Sequence, residues 1–399
     1  MGPVSRLLIA VPPLTGHLNP ASALAAELTR RGHQVCWVGS EAVLRPVLGP
    51  DAVVHPTGSR ILREQSGHGA AAVASLWQRF LVPYTKFTLP AVQRAVDAVG
   101  PDLVLTDQQM FAGALVAHRG GLPWASLVTT TMELSRPFRE LPAVEAELSG
   151  HLAAVRARAG VAADVDPRFS PYLSLALTTP QLSGPPPVDL PGPVAYTGPL
   201  LGTRPPVPGF AAPPQTDRPL VLVSTGTLAA DLAGSFHRRV LAALALLGDR
   251  VAAILVAPPD AVPDPPPQVS VAARVPVLEL MPRLAAVLTH GGLNTVTEAL
   301  AHGVPLVVAP IRHDQPINAR DVAAAGAGVR VSFARAEPAR IAAALAAVLE
   351  DGSYRAGAGR VRASFAAAGG VPAAAAQVER LVQLLRNGQQ PLSNGIPRP

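Results

Sequence analysis

Lysine and cysteine are almost missing from this chain. Lys86 is the single lysine among 33 basic residues, and Cys36 is the single cysteine in 399 residues. One thiol excludes an internal disulfide framework and a cysteine metal cluster. Set mid-strand in Gln34-Val35-Cys36-Trp37-Val38, Cys36 reads as a small core hydrophobe. Aromatic residues are only 4% of the chain, too few for a base-stacking surface, and the arginines form no dense run between them. A formal charge of +6 therefore does not point to nucleic acid. Charged residues make up 15%, against about 25% in an average protein. No apolar run approaches the roughly 20 residues that cross a bilayer. Met1-Gly2-Pro3-Val4-Ser5-Arg6 lacks the apolar core of a secretion signal. The expected location is the cytoplasm, with membrane contact peripheral at most.

What is present is apolar, at 49% of residues, and long enough for two or three domains. Buried-type strands at 6–11, 35–38, 103–106 and 125–128 alternate with helices expected at 20–31, 70–80, 89–99, 113–119 and 144–159. Gly184-Pro185-Pro186-Pro187 and the prolines between Arg204 and Pro214 then interrupt regular structure. A second alternation follows, with strands near 219–224, 251–256, 269–271, 286–288, 306–309 and 328–331 and helices at 340–349, 354–367 and 373–385. Alternation of this kind predicts parallel, doubly wound α/β sheets. The expected division is a first domain over 1–202, a proline-rich linker over 203–218, a second domain over 219–372, a last helix over 373–387 and a disordered tail over 388–399.

The densest chemistry lies between Leu288 and Asn318. A short strand runs into Thr289-His290-Gly291-Gly292, and a helix opens at Leu293-Asn294-Thr295 with Glu298 one turn on. Two glycines between a strand and a helix N-terminus form a phosphate site, because backbone N–H groups approach the oxygens and the helix end carries partial positive charge. Asn294 and Thr295 add side-chain donors, His290 an imidazole N–H, and Glu298 a carboxylate within reach of a ribose hydroxyl. Past the next strand come His313, Asp314, Gln315 and Asn318; an adjacent carboxylate and amide suit sugar hydroxyls. The segment reads as a site for a sugar carried on a nucleoside diphosphate.

His290-Gly291-Gly292-Leu293-Asn294-Thr295-Val296-Thr297-Glu298, with Gly303-Val304-Pro305 and Asp314-Gln315-Pro316-Ile317-Asn318-Ala319, closely resembles the donor signature of nucleotide-sugar-dependent glycosyltransferase family one. That family includes bacterial macrolide and natural-product enzymes and plant secondary-product enzymes. The resemblance implies the GT-B architecture, two Rossmann-like domains facing across a cleft, with the last helix crossing back to the first domain. It implies an inverting, metal-independent transfer with no cofactor, the donor being a UDP- or dTDP-linked sugar.

At the other end of the chain, the loop Pro12-Pro13-Leu14-Thr15-Gly16-His17-Leu18-Asn19-Pro20 follows the first strand. Pro20 suits a first helical turn and Asn19 an N-cap. Position alone leaves His17 two roles, packing under that helix or facing a ligand. Asp107, closing the strand at 103–106, is open between capping the next helix and partnering a base. The resemblance assigns them as a catalytic pair. His17 takes the acceptor hydroxyl's proton, Asp107 holds the imidazole, and the oxygen attacks the sugar's C1 while the diphosphate leaves from the opposite face.

Ser224-Thr225-Gly226-Thr227 resembles the family's loop at the β-phosphate, with Thr227 taken as a phosphate contact. Arg274-Val275-Pro276 aligns with the segment framing the nucleobase, so Arg274 and Val275 are expected at the nucleoside. The family often has an aromatic residue and a glutamine where this chain has Arg274 and Val277, which leaves uridine and thymidine both open. Met110 and Phe111 adjoin Asp107 and are expected to meet a small, hydrophobic, hydroxylated acceptor. Trp77, Phe80, Tyr84 and Phe87 read as a core stripe. Two other readings stand beside the natural-product one: a lipid, sterol or carotenoid acceptor at a membrane surface, and a non-catalytic nucleotide-sugar-binding or activator protein.

Overall fold

The computed structural model describes residues 4–58, 69–214, 217–226 and 230–389. They form two compact units. The first takes the described residues within Met1–Pro180, Gly184–Thr203 and Ala368–Pro399, and the second those within Gln181–Ser183 and Arg204–Ala367.

The first unit is built on β1 (Arg6–Ala10), β2 (Gln34–Gly39), β3 (Val53–Pro56), β4 (Leu103–Asp107), β5 (Trp124–Val128), β6 (Ser174–Ala176) and β7 (Val194–Tyr196). They lie in the order β3-β2-β1-β4-β5-β6-β7 with every pair parallel. β4 and β5 are buried along their whole length, the near-continuous apolar pattern of a strand covered on both faces. The second unit has β8 (Leu220–Ser224), β9 (Ala252–Val256), β10 (Val269–Ala272), β11 (Leu284–Thr289), β12 (Leu306–Val308) and β13 (Gly328–Arg330). Its order, β10-β9-β8-β11-β12-β13, is again all parallel. Period two sorts its residues to two faces. Val221 and Val223 enter one core cluster, and Leu220 and Leu222 the other.

Both sheets start in the middle and wind outward in two directions. The chain therefore departs to opposite sides at β1/β4 and at β8/β11. At such a reversal the loops leaving the carboxyl ends diverge and open a crevice, the usual ligand position on an open α/β sheet.

Several boundaries differ from expectation. The first helix is Thr15–Arg30, not 20–31. Its N-cap is Leu14, in extended conformation, so Asn19 is no cap and Pro20 sits inside the helix without an N–H for the Gly16 carbonyl. This places His17 on the first turn. Residues 69–99 are helical throughout, with a π-helical turn at Trp77–Leu81 joining Gly69–Leu76 to Val82–Val99. Strands β3, β6 and β7 are additional to those expected.

The proline-rich stretch expected as a linker belongs, from Arg204 on, with the second unit. Phe210 packs against a core cluster there, and Arg283 donates to the Pro213 carbonyl at 2.7 Å. The last helix, Gly370–Arg386, belongs to the first unit and buries Ala374, Ala375, Val378, Leu381 and Val382 in its core. Glu379 on that helix pairs with Arg31 at 2.7 Å and with His33 at 3.2 Å. Most of the tail, from residue 390, lies outside the described residues.

Candidate active site

At the reversal of the first unit, Ala10 of β1 lies beside Thr106 of β4. The helix after β4, Phe111–Arg119, approaches so closely at Gly113 that a Cβ there would lie 2.3 Å from Thr106 Oγ1. His17 and Asp107, 90 residues apart, meet here: His17 Nδ1 is 2.9 Å from Asp107 Oδ2. Asp107 is fully buried and His17 is 9% exposed.

Thr129, just past β5, completes the group. Its hydroxyl donates to Asp107 Oδ2 at 2.6 Å, and its oxygen lies 2.8 Å from His17 Nδ1. The other carboxylate oxygen accepts the Gln109 N–H at 2.8 Å. An ionised carboxylate only accepts, and the one hydroxyl proton of Thr129 goes to it, so the hydrogen on the imidazole must sit at Nδ1. That leaves Nε2 with the basic lone pair. Bonds of this charge-assisted kind contribute about 1.5–3 kcal/mol each. Thr129 carries no motif and acts across 112 positions in sequence, so sequence reasoning did not find it.

The second unit holds a different imidazole at its equivalent reversal. Ser224 at the end of β8 lies beside Thr289 at the end of β11, and His290 follows. Its ring is wedged between two glycines. A Cβ on Gly226 would come within 2.6 Å of His290 Cε1, and one on Gly292 within 2.9 Å of Nε2. Gly226 also has φ +73°, which disfavours any side chain. Burial pushes the imidazole down to about 4, against the pull of its bond to the Ser224 carbonyl and helped by nearby Arg312. The ring Nδ1 lies 3.3 Å from Thr289 Oγ1. A bound polyanion would favour the protonated ring.

Gly292 caps the helix Leu293–Ala301, which has no side-chain cap and no acidic residue in its first turn. Its N-terminus is thus suited to an anion. Asn294 and Thr295 on that turn are half-buried. The loop is fastened to the next helix, Gln315–Ala324: Asn318 Nδ2 donates to the Gly291 carbonyl at 2.8 Å and to Asp314 Oδ2 at 3.0 Å. Asn318 thus ties the expected phosphate loop to Asp314 of the expected sugar pair. Gln315, however, turns its carboxamide oxygen to the N–H groups of Ile311 and Arg312, at 2.9 and 3.0 Å, so that oxygen braces the loop rather than a sugar.

Other expected residues are placed as follows. Glu298 is 3% exposed and paired with Arg204. Burial raises its carboxyl while Arg204 opposes the shift. A ribose contact would have to share that carboxylate with Arg204. Arg274 is exposed just beyond β10, on the carboxyl side of the sheet. Val275, expected at the nucleoside, is 9% exposed and part of an apolar cluster. Met110 and Phe111 are corrected too: at 0% and 1% exposure they face inward, Phe111 against Trp77 with centroids 5.4 Å apart. The turn after β4 folds back over the sheet, so apolar residues there fill core. Of the aromatic stripe, Trp77, Phe80 and Tyr84 are buried and Phe87 is exposed. Thr227 lies outside the described residues. Thr225 is buried, its hydroxyl 3.2 Å from Nε2 of His237, a histidine that no motif marks.

Comparison with known proteins decides the family. Residues 238–384 match the family described as erythromycin biosynthesis protein CIII-like, C-terminal domain. Over 353 residues the chain is 30% identical to the elloramycin glycosyltransferase of Streptomyces olivaceus, covering 82% of this chain and 86% of that protein. The chain belongs to the natural-product branch of glycosyltransferase family one. This glycosyltransferase is also 29% identical to the 4'-demethylrebeccamycin synthase of Lentzea aerocolonigenes, over 95% of this chain and all of that one. Its GT-B fold is shared with the solved glycotransferase of kitacinnamycin, with a TM-score of 0.74, 24% identity, and coverage of 96% and 100% of the two chains. Among the described residues, no helix of the glycosyltransferase is long and apolar enough to cross a membrane.

Proposed function

We propose that this enzyme transfers a hexose or deoxyhexose from a uridine- or deoxythymidine-diphosphate donor to a hydroxyl of a hydrophobic natural product, with inversion at C1 and without a metal. The buried His17–Asp107 pair carries the reading. An alcohol's pKa lies far above 7, so the hydroxyl needs a base while it attacks. Nε2 of His17 takes that proton, and Asp107 stabilises the imidazolium that forms. The C1–O bond to the diphosphate breaks as the new C1–O bond forms, and negative charge grows on the leaving phosphate. On the second unit, the Gly291-Gly292 amides, the helix N-terminus, Asn294, Thr295 and a protonated His290 neutralise that charge.

Asp314, held by Asn318, is the hydroxyl-reading group for the sugar, and Arg274 stacks on the base. The kinship with enzymes named for elloramycin and rebeccamycin supports a natural-product acceptor. The test is a donor-by-acceptor matrix read by mass spectrometry, with the product anomer determined by NMR. A product inverted relative to the donor, formed equally well in EDTA, is expected. A retained anomer or abolition by EDTA overturns the mechanism.

A further inference from the structure

Two buried carboxyls of the first unit collect donors from the protein, as burial requires. Asp107 has Thr129, His17 Nδ1 and the Gln109 N–H. Glu133 accepts on Oε2 from Gln108 Nε2 at 2.8 Å and from Thr130 Oγ1 at 3.1 Å. Glu298 of the second unit, also buried, is supplied differently. Among the described residues its carboxylate has one hydrogen bond, from the Arg204 guanidinium to Oε1. Oε2 has no donor among them, and the side chain keeps 4% of its surface open. A buried carboxylate oxygen in that state calls for a donor from outside the chain.

Glu298 lies four residues past Asn294 and three past Thr295 on the helix Leu293–Ala301, so the three share a face. About 6 Å of axial rise separates Glu298 from Asn294. A nucleoside diphosphate whose phosphates meet the helix N-terminus therefore brings its sugar hydroxyls to this carboxylate. The 3′-hydroxyl is one bond nearer the 5′-phosphate than the 2′-hydroxyl, and it reaches Oε2 first. A ribose diol can span a free carboxylate, with one hydroxyl on each oxygen. Here Arg204 holds Oε1, its own side chain 30% exposed. Pro205 follows it and confines the Arg204 backbone to extended conformations, which limits how far the guanidinium can swing away.

We propose that Arg204 sets the nucleoside selectivity of the donor site. By occupying Oε1 it leaves Glu298 one oxygen for one hydroxyl, the 3′-hydroxyl, so a 2′-deoxyribose donor is accepted as readily as a ribose donor. The proposal rests on the glycosyltransferase reading above and adds to it which hydroxyl of the nucleoside is read and what keeps the second from counting.

The test is calorimetry on the full-length enzyme with UDP, 2′-deoxy-UDP and 2′,3′-dideoxy-UDP, which share base and diphosphate and differ only in sugar hydroxyls. The wild type should bind UDP and 2′-deoxy-UDP within about threefold of each other, and 2′,3′-dideoxy-UDP about tenfold or more weakly. Arg204→Met removes the guanidinium and keeps most of the apolar stem. It should prefer UDP over 2′-deoxy-UDP by about fivefold or more. In a Glu298→Gln background the same exchange should leave that ratio unchanged, because Arg204 acts through the carboxylate. A wild-type preference for UDP above about threefold, equal binding of the deoxy and dideoxy nucleotides, an Arg204→Met ratio like that of the wild type, or a shift that survives Glu298→Gln overturns the proposal. If Arg204→Met does not fold, the wild-type affinities remain decisive: a preference for UDP, or indifference to the 3′-hydroxyl, overturns it. A wild-type enzyme that binds none of the three, nor dTDP, loses the glycosyltransferase reading itself. Binding in another order leaves that reading standing and removes only the role of Arg204.

Discussion

At the ends of β1 and β4 the first unit sets an imidazole against a carboxylate and a hydroxyl; at the ends of β8 and β11 the second sets an imidazole between two glycines. The strand order around both is the same, and so is the place in the winding where the chain reverses. The chemistry is opposite. His17 is given a carboxylate that holds its charge, as a base requires. His290 is given desolvation and a nearby Arg312, which disfavour its charged form. One topology supplies two crevices, and the residues at the strand ends decide what each does.

The comparison can be broken at several points. The largest effect is expected for Asp107→Asn. An amide in place of the carboxylate no longer holds a charged imidazolium and favours the wrong tautomer, so turnover should fall about 10²–10⁴-fold. Because it acts through His17, the Asp107→Asn, His17→Ala double variant should be no slower than the slower single one. Additive losses measured by single-turnover kinetics would give Asp107 another task.

Next comes pH. Between 6.5 and about 4 the unfolded chain protonates the His290 imidazole and the folded chain does not. Its contribution is therefore full above pH 6.5 and is lost on acidification through that window, by up to about 3 kcal/mol. His313, also pushed down to about 4 by burial, behaves alike. The raised carboxyls of Glu133 and Glu298 give the opposite slope, so the measurement is a difference. Urea unfolding from pH 7.5 to 5 should weaken the wild type more than His290→Asn. Equal slopes would mean that the ring is not desolvated.

A smaller loss, about 1–2 kcal/mol or five- to thirtyfold in nucleoside diphosphate affinity, is expected for Gly226→Ala, because the new methyl displaces the ring. The nucleoside alone should bind as before. Smallest is Thr129→Val, which removes one hydrogen bond to Asp107 and should slow turnover about three- to tenfold. No change in rate would make Thr129 a spectator.

What the sequence revealed follows the range of each interaction. The loop at His290-Gly291-Gly292 was legible because strand, turn and helix lie within a few residues. The parallel sheets were legible because β1, β4, β8 and β11 are long apolar runs. Thr129, Arg204 and Gln108 were not, since their partners lie 22 to 112 residues away and no local pattern marks them. The first helix was misread because Asn19-Pro20 imitates a helix start, whereas the chain begins coiling at Thr15. Met110 and Phe111 were placed at a surface by their nearness to Asp107, and only the inward fold of that turn shows that they are core.

The division of labour between the two units is tested most directly by crossing one variant from each with two readouts, turnover and calorimetric nucleotide affinity. His17→Ala should lower turnover about 10²–10⁴-fold on an acceptor with a non-acidic hydroxyl while leaving UDP and dTDP affinity within about twofold. His290→Ala should weaken the diphosphates and spare the free nucleosides. Near-wild-type turnover by His17→Ala, or loss of nucleotide affinity in that variant with none in His290→Ala, would contradict the account.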